Sequence, residues 1–213
     1  MRHRIFIAIN LPENIKKELS YFQLKWLQLP CRWTKKENLH ITLVFLGHLS
    51  DEELSKVVEI TKKVSQRHKP FLINLNKILY GPPKKMPPRP PKFSEEIISE
   101  ESKIKPDEKF GWPRMVWVEG EKSEELGKLQ KDLENSLLAL SIKDKSESRP
   151  YTPHITLGRI RAWEFRKIEP EERPEIDEDI DLSFKVKSIE VMESHLKRGG
   201  SEYTILQSCP LKS

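Results

Sequence analysis

No run of apolar residues in these 213 positions approaches the ~20 that a membrane-spanning helix requires, which excludes such a helix. Cysteine is scarce. Cys31 and Cys209 are too few for a disulfide framework and show no metal-ligand spacing, which suits a reducing compartment, although a single bridge between them stays open. No G-x-x-x-x-G-K-[ST] or G-x-G-x-x-G loop is present to cradle a nucleoside triphosphate or a dinucleotide, and no G-x-S-x-G marks a serine nucleophile. The opening MRHRIFIAINLPE has only a short apolar run followed by Pro and charge, without a small-residue cleavage site, so a cytoplasmic location is expected.

What the chain does have is charge. Lys and Arg number 38 against 33 Asp and Glu, a formal net charge of +5 with pI near 9.0, and an excess of this sign favours an anionic partner such as nucleic acid. At 25.1 kDa with 36% hydrophobic residues the chain can bury a sizeable core, as one domain or as two intimately packed lobes.

Residues 4–9 (RIFIAI) read as a buried strand, and Ile15, Leu19, Phe22 and Trp26 then recur at helical spacing over 12–29. A strand over 39–46 follows, then a capping box at Ser50–Glu53 opening a second helix, and alternation over 71–79 completes a β-α-β-α-β first half. The second half repeats the plan. RMVWVEG at 114–120 reads as strand, Ser123 as N-cap, Leu126, Leu129, Leu133 and Leu137 as one helical stripe, and HITLGRI at 154–160 as the next strand. The segments 183–196 and 201–211 around Gly199-Gly200 predict a hairpin. Residues 82–110 hold six prolines between 82 and 91 and predict a flexible insertion, with Lys84, Lys85 and Arg89 as candidate contacts to RNA and a plain surface loop as the alternative. Residues 164–181, rich in Asp and Glu, read as a solvated connection.

The tetrapeptide HITL stands at 40–43 and again at 154–157, at the equivalent place in each half. Side chains alternate along a strand, so His40 and Thr42 share one face while Ile41 and Leu43 share the other, and His154 and Thr156 behave alike. If the halves face each other about a pseudo-twofold axis, two imidazoles and two hydroxyls converge. That set serves a metal-free displacement at phosphorus: one neutral imidazole takes a proton, the other donates one, and the hydroxyls bind the non-bridging oxygens. A zinc site wants three or four ligands, which two His and two Thr do not supply, and no cofactor is implied. His3, His48, His68 and His195 are read as structural. Arg159 lies five residues after His154, on the opposite face of a regular strand, unless a bend at Gly158 returns it.

RIFIAINLP (4–12), NLHITLVFLG (38–47), PHITLGR (153–159) and VMESHLKRGGSEYTIL (191–206) together resemble the two-histidine phosphoesterase superfamily, and within it the RNA 2',3'-cyclic phosphodiesterases also called 2'-5' RNA ligases. The resemblance spans nearly the whole chain; the long Pro-rich stretch departs from it. It implies a single α+β domain, bilobal, with two antiparallel sheets flanking a central groove and helices outside. It implies an enzyme that opens an RNA-terminal 2',3'-cyclic phosphate to a 2'-phosphate, with His40 as acid to O3' and His154 as base to water. Thr42 and Thr156 would bind phosphate, Arg159 phosphate or base. Tyr151 is a second candidate for stacking, with core packing equally open. The implied partners are RNA ends, tRNA fragments or cyclic nucleotides, bound by a monomer and without a membrane. The alternatives are a 2'-5' ligase of tRNA halves and a non-catalytic RNA or nucleotide binder.

Overall fold

The computed structural model describes residues 2–82, 112–139, 151–198 and 200–212. Lys84, Lys85, Arg89 and nearly all of the Pro-rich stretch lie outside the described residues. Strand β1 (His3–Asn10) leads into helix α1 (Glu13–Gln23), which stops earlier than the apolar spacing predicts and passes into a 3-10 turn at Leu24–Trp26. Trp26 remains core, at 7% exposure. Next come β2 (Cys31–Trp33), β3 (His40–Leu49) and α2 (Asp51–Ser65). The capping box is complete: Ser50 Oγ accepts from the Glu53 amide, and the Glu53 carboxylate accepts from the Ser50 amide.

Strands β4 (Phe71–Gly81) and β5 (Met115–Gly120) precede α3 (Glu124–Ala139), whose first turn is capped by Ser123 Oγ accepting from Leu126 N at 3.1 Å. Leu126, Leu129, Leu133 and Leu137 are all at most 2% exposed, and each such side chain contributes roughly 1.5–3 kcal/mol by leaving water. Strand β6 (Ile155–Ile160) begins inside the second tetrapeptide, one residue after His154, and β7 (Asp177–Val186), β8 (Ser188–Lys197) and β9 (Gly200–Pro210) follow, the last two as the expected hairpin with Gly200 at φ 124°. The acidic connection is thus corrected at its end. Ile180, Leu182, Phe184 and Val186 alternate with exposed Asp181, Ser183 and Lys185, so the residues from Asp177 pair with β4 instead of remaining a solvated link.

All nine strands join one antiparallel sheet in the order β7-β4-β5-β6-β3-β1-β8-β9, with β2 on the free edge of β6. Two separate sheets are therefore not formed: the halves meet at the β3–β6 seam through the single residue pair Ile41 and Ile155. Reading outward from that seam, each half presents its HITL strand, then the strand that precedes it across one helix. Strand β4 does not complete the first half as expected. It crosses to the β6 side, while β8 and β9 return to the β3 side, so neither half is built from one contiguous stretch of chain. One large core lies under the helices, and a small cluster of Phe6, Ala8 and Met192, with Tyr203 against it, lies on the other face of the sheet.

Candidate active site

At the seam the two strands run antiparallel with Ile41 opposite Ile155, both buried, so the next residues along, His40 and Thr156, oppose each other on the other face, as do Thr42 and His154. The two histidines are diagonal neighbours across this pair, a relation that places such residues about 7–8 Å apart. Their rings interact electrostatically, since His154 lowers the proton affinity of His40.

Each imidazole is oriented in the same way. His40 Nδ1 lies 2.7 Å from Asn38 O and His154 Nδ1 lies 2.9 Å from Thr152 O. A carbonyl only accepts, so each Nδ1 carries the hydrogen, and in the neutral ring Nε2 keeps its lone pair. His40 Nε2 lies 2.9 Å from Thr42 Oγ1, which donates to it, whereas no hydrogen bond engages His154 Nε2 among the described residues. Asn38 is itself pinned, donating from Nδ2 to Ser201 O at 2.7 Å.

The surroundings differ. The His40 ring sits between Phe6 and Tyr203, with centroids at 5.1 and 5.2 Å, and burial pushes its pKa down to about 4 against the opposing pull of Asn38 O, with the charges of Lys16 and His154 adding to the depression. Lys16, on α1, is itself buried and depressed by burial, its Nζ donating to Glu37 O at 2.9 Å. The His154 ring stacks on Trp117 at 3.8 Å and 16°, and burial followed by the Arg159 charge lowers its pKa, while Thr152 O raises it. Trp117 is held from behind. A Cβ on Gly81 would fall 2.2 Å from its ring, so only glycine lets β4 press on the indole face opposite His154.

Arg159 does reach the histidine face. β6 bulges at Leu157, so Gly158 opposes Val116 while Thr156 opposes Trp117. On β5, Met115 and Trp117 share one face and Val116 and Val118 the core; Arg159, opposite Met115, therefore shares the face of Thr156. Tyr151 is no exposed stacking platform. It packs against the core, and its hydroxyl donates to Thr42 O at 3.1 Å, tying the segment before β6 to β3; burial raises its pKa. Sequence reasoning missed Lys16, Asn38, Phe6, Trp117 and Tyr203. Asn38 alone carried a local signal, two residues before a candidate histidine.

Among the described residues no three or more His, Cys, Asp or Glu side chains gather as metal ligands do. A hollow of about 640 Å³ opens elsewhere, lined by Arg2, Arg4, His48, Glu193 and His195. There His195 Nε2 faces the Glu193 carboxylate at 3.3 Å, whereas at the seam both imidazoles are anchored through Nδ1 by a backbone carbonyl. No described helix is long and apolar enough to cross a membrane.

Comparison with known proteins points the same way. A model of the LigT-like phosphoesterases matches residues 9–91, and one of the 2'-5' RNA ligase superfamily matches residues 102–198. Curated relatives named RNA 2',3'-cyclic phosphodiesterase include one from Methanocaldococcus jannaschii, 27% identical and covering 96% of this chain and 98% of its own length. Another, from Thermotoga maritima, is also 27% identical, with 97% and 94% covered. Among solved structures, a protein of Thermus thermophilus superposes with TM-score 0.76 at 24% identity over 98% of both chains. E. coli LigT complexed with 3'-AMP gives 0.68 at 23% identity over 100% of both. Those structural likenesses establish the fold.

Proposed function

This chain belongs to the LigT-like phosphoesterases of the 2'-5' RNA ligase superfamily, and from that premise we propose that it hydrolyses RNA-terminal 2',3'-cyclic phosphates to 2'-phosphates with His40 and His154 as the proton-transfer pair. The observation that carries the reading is the seam: two imidazoles with the same Nδ1 anchor and the same strand setting, on one face across a single residue pair. The strand order, mirrored about that seam, supports a bilobal arrangement in which the pairs line a shared groove.

In the reaction, His154 Nε2 takes a proton from water as its oxygen bonds to phosphorus. The bond from phosphorus to O3' breaks, and His40 delivers a proton from Nε2 to the departing oxygen, leaving phosphate on O2'. Thr42 and Thr156 hydroxyls hold the non-bridging oxygens, and Thr42 must then turn from His40 toward phosphate. Both rings are neutral near neutral pH before substrate binds. His40 therefore takes its proton from solvent as the substrate binds, because the negative charge of the phosphate offsets the positive field of Lys16 and His154. With a 5'-hydroxyl in place of water as the nucleophile, the same ring opening joins RNA ends through a 2'-5' linkage, O3' again leaving with a proton.

The test is to incubate the protein with an oligonucleotide bearing a 3'-terminal cyclic phosphate in the presence of chelator and to locate the product phosphate. Phosphate on O2' is expected, with a bell-shaped kcat/KM profile centred below the ordinary histidine value of about 6.5, because both pKa values are lowered. Phosphate on O3', or binding without turnover, would overturn it.

A further inference from the structure

Several cations on the β6 side of the molecule are engaged. Arg161 pairs with Glu164, Arg166 lies over Trp112, Lys167 lies over Trp163, and Arg173 lies over Trp112 while donating to Ile168 O. Two arginines on the histidine face are not. Among the described residues neither Arg32 nor Arg159 meets a carboxylate or an aromatic face; Arg159 reaches only the Met115 sulfur at 3.6 Å, and Arg32 has no side-chain partner.

These two are opposite each other on adjacent strands, Arg32 of β2 against Arg159 of β6. Both are exposed, on the face opposite buried Cys31 and Ile160. The bulge at Leu157 makes that face the one carrying Thr156 and His154, and the Arg159 charge is felt at the His154 ring. Strands β2 and β3 lie along the same edge of β6, so Arg32 and His40 follow one another down a single wall of the site. Gly158 permits this approach, since a Cβ there would fall 2.4 Å from Cys31 Sγ and push β2 away. Like charges directly opposed in an antiparallel pair destabilise it. Two guanidiniums kept so close to a phosphate-processing pair, without a counter-charge among the described residues, are arranged for an anion outside the protein.

The cyclic phosphate itself is already provided for by two imidazoles and two hydroxyls. We propose that Arg32 and Arg159 clamp the next phosphate along the RNA, the internucleotide phosphate preceding the terminal nucleotide, so that the enzyme selects chain ends over free cyclic mononucleotides. The proposal rests on the phosphodiesterase reading given above. Arg32 acts as a binding and specificity residue; it does not take part in proton transfer.

The experiment compares kcat/KM for 2',3'-cyclic AMP with that for a dinucleotide ending in the same cyclic phosphate, using wild type, Arg32→Gln and Arg32→Lys, together with thermal melting. Wild type is expected to prefer the dinucleotide. Arg32→Gln is expected to lower dinucleotide turnover about 10- to 100-fold, as loss of a charge-assisted hydrogen bond does, and at least about tenfold more than it lowers cyclic AMP turnover. Arg32→Lys should recover part of the loss, and the salt dependence of dinucleotide turnover should fall by about 0.7 in log-log slope for Arg32→Gln. Melting should not fall, because a repulsion is relieved. Equal losses on both substrates, or no loss on the dinucleotide, would overturn the clamp. If wild type turns over neither substrate, the phosphodiesterase reading fails, and the clamp is judged by titration with a dinucleotide 3'-monophosphate against 3'-AMP. Preference for the dinucleotide that Arg32→Gln abolishes supports it; equal affinities sink it.

Discussion

The strands β3 and β6 carry the same four residues and give them different surroundings. On β3 the imidazole is wedged between Phe6 and Tyr203 with its Nε2 held by Thr42, and burial, with the charge of a buried lysine adding to it, lowers its pKa to about 4. On β6 the imidazole lies flat on Trp117 with Nε2 unengaged among the described residues, and its pKa is lowered mainly by burial. The tetrapeptide sets which atoms face the site, and the neighbours set what those atoms do at a given pH. Both rings are lowered by burial, but their neighbours differ: two aromatic rings and a lysine charge at His40, an indole and an arginine charge at His154.

The comparison is broken most severely by removing either ring. His40→Ala and His154→Ala are each expected to lower kcat by about 10²- to 10⁴-fold, the usual contribution of a general acid or base, while circular dichroism and melting remain near wild type. Normal turnover in either variant would remove that residue from the chemistry.

The next effect concerns stability and sharpens the contrast between the rings. The folded pKa of His40 lies below its unfolded value of about 6.5, so the unfolded chain binds the proton more readily and stability falls as pH drops from there toward 4. His40→Gln abolishes that loss. It should unfold at higher denaturant than wild type at pH 5, by about 2 kcal/mol relative to the difference at pH 8. His154→Gln should show the same sign and a smaller gain, and equal gains would mean the two settings are alike after all.

The smallest effect tests the tie between them. Tyr151→Phe removes the hydrogen bond to Thr42 O and is expected to cost about 1 kcal/mol in denaturant unfolding, with turnover falling more than folding because Thr42 loses its fix. A stability change without any change in KM or kcat would make Tyr151 a packing residue only.

Much of this was legible along the chain. The capping box at Ser50, the leucine stripe of α3 and the shared face of His40 with Thr42 follow from local periodicity and local hydrogen bonds. The side on which Arg159 falls is not fixed by its odd offset from His154, which returns to the same face only through a bulge, and the extra residue at Leu157 is decided by pairing with β5. The β7 strand was hidden by its acidic exposed residues, though its inward alternation was there to be read.

By itself, then, the amino-acid order determined most of the elements, the paired H-x-T faces and the kind of chemistry they serve, since side-chain alternation is a property of each strand alone. Tertiary structure decided what no local rule reaches: the crossing of β4 to the far half, the meeting of β3 and β6 at Ile41 and Ile155, Trp117 beneath His154, Lys16 near His40 and Arg32 facing Arg159. These are contacts between residues distant along the chain. They depend on which strands pair and in what register, and it is the packing of the whole core that selects among registers.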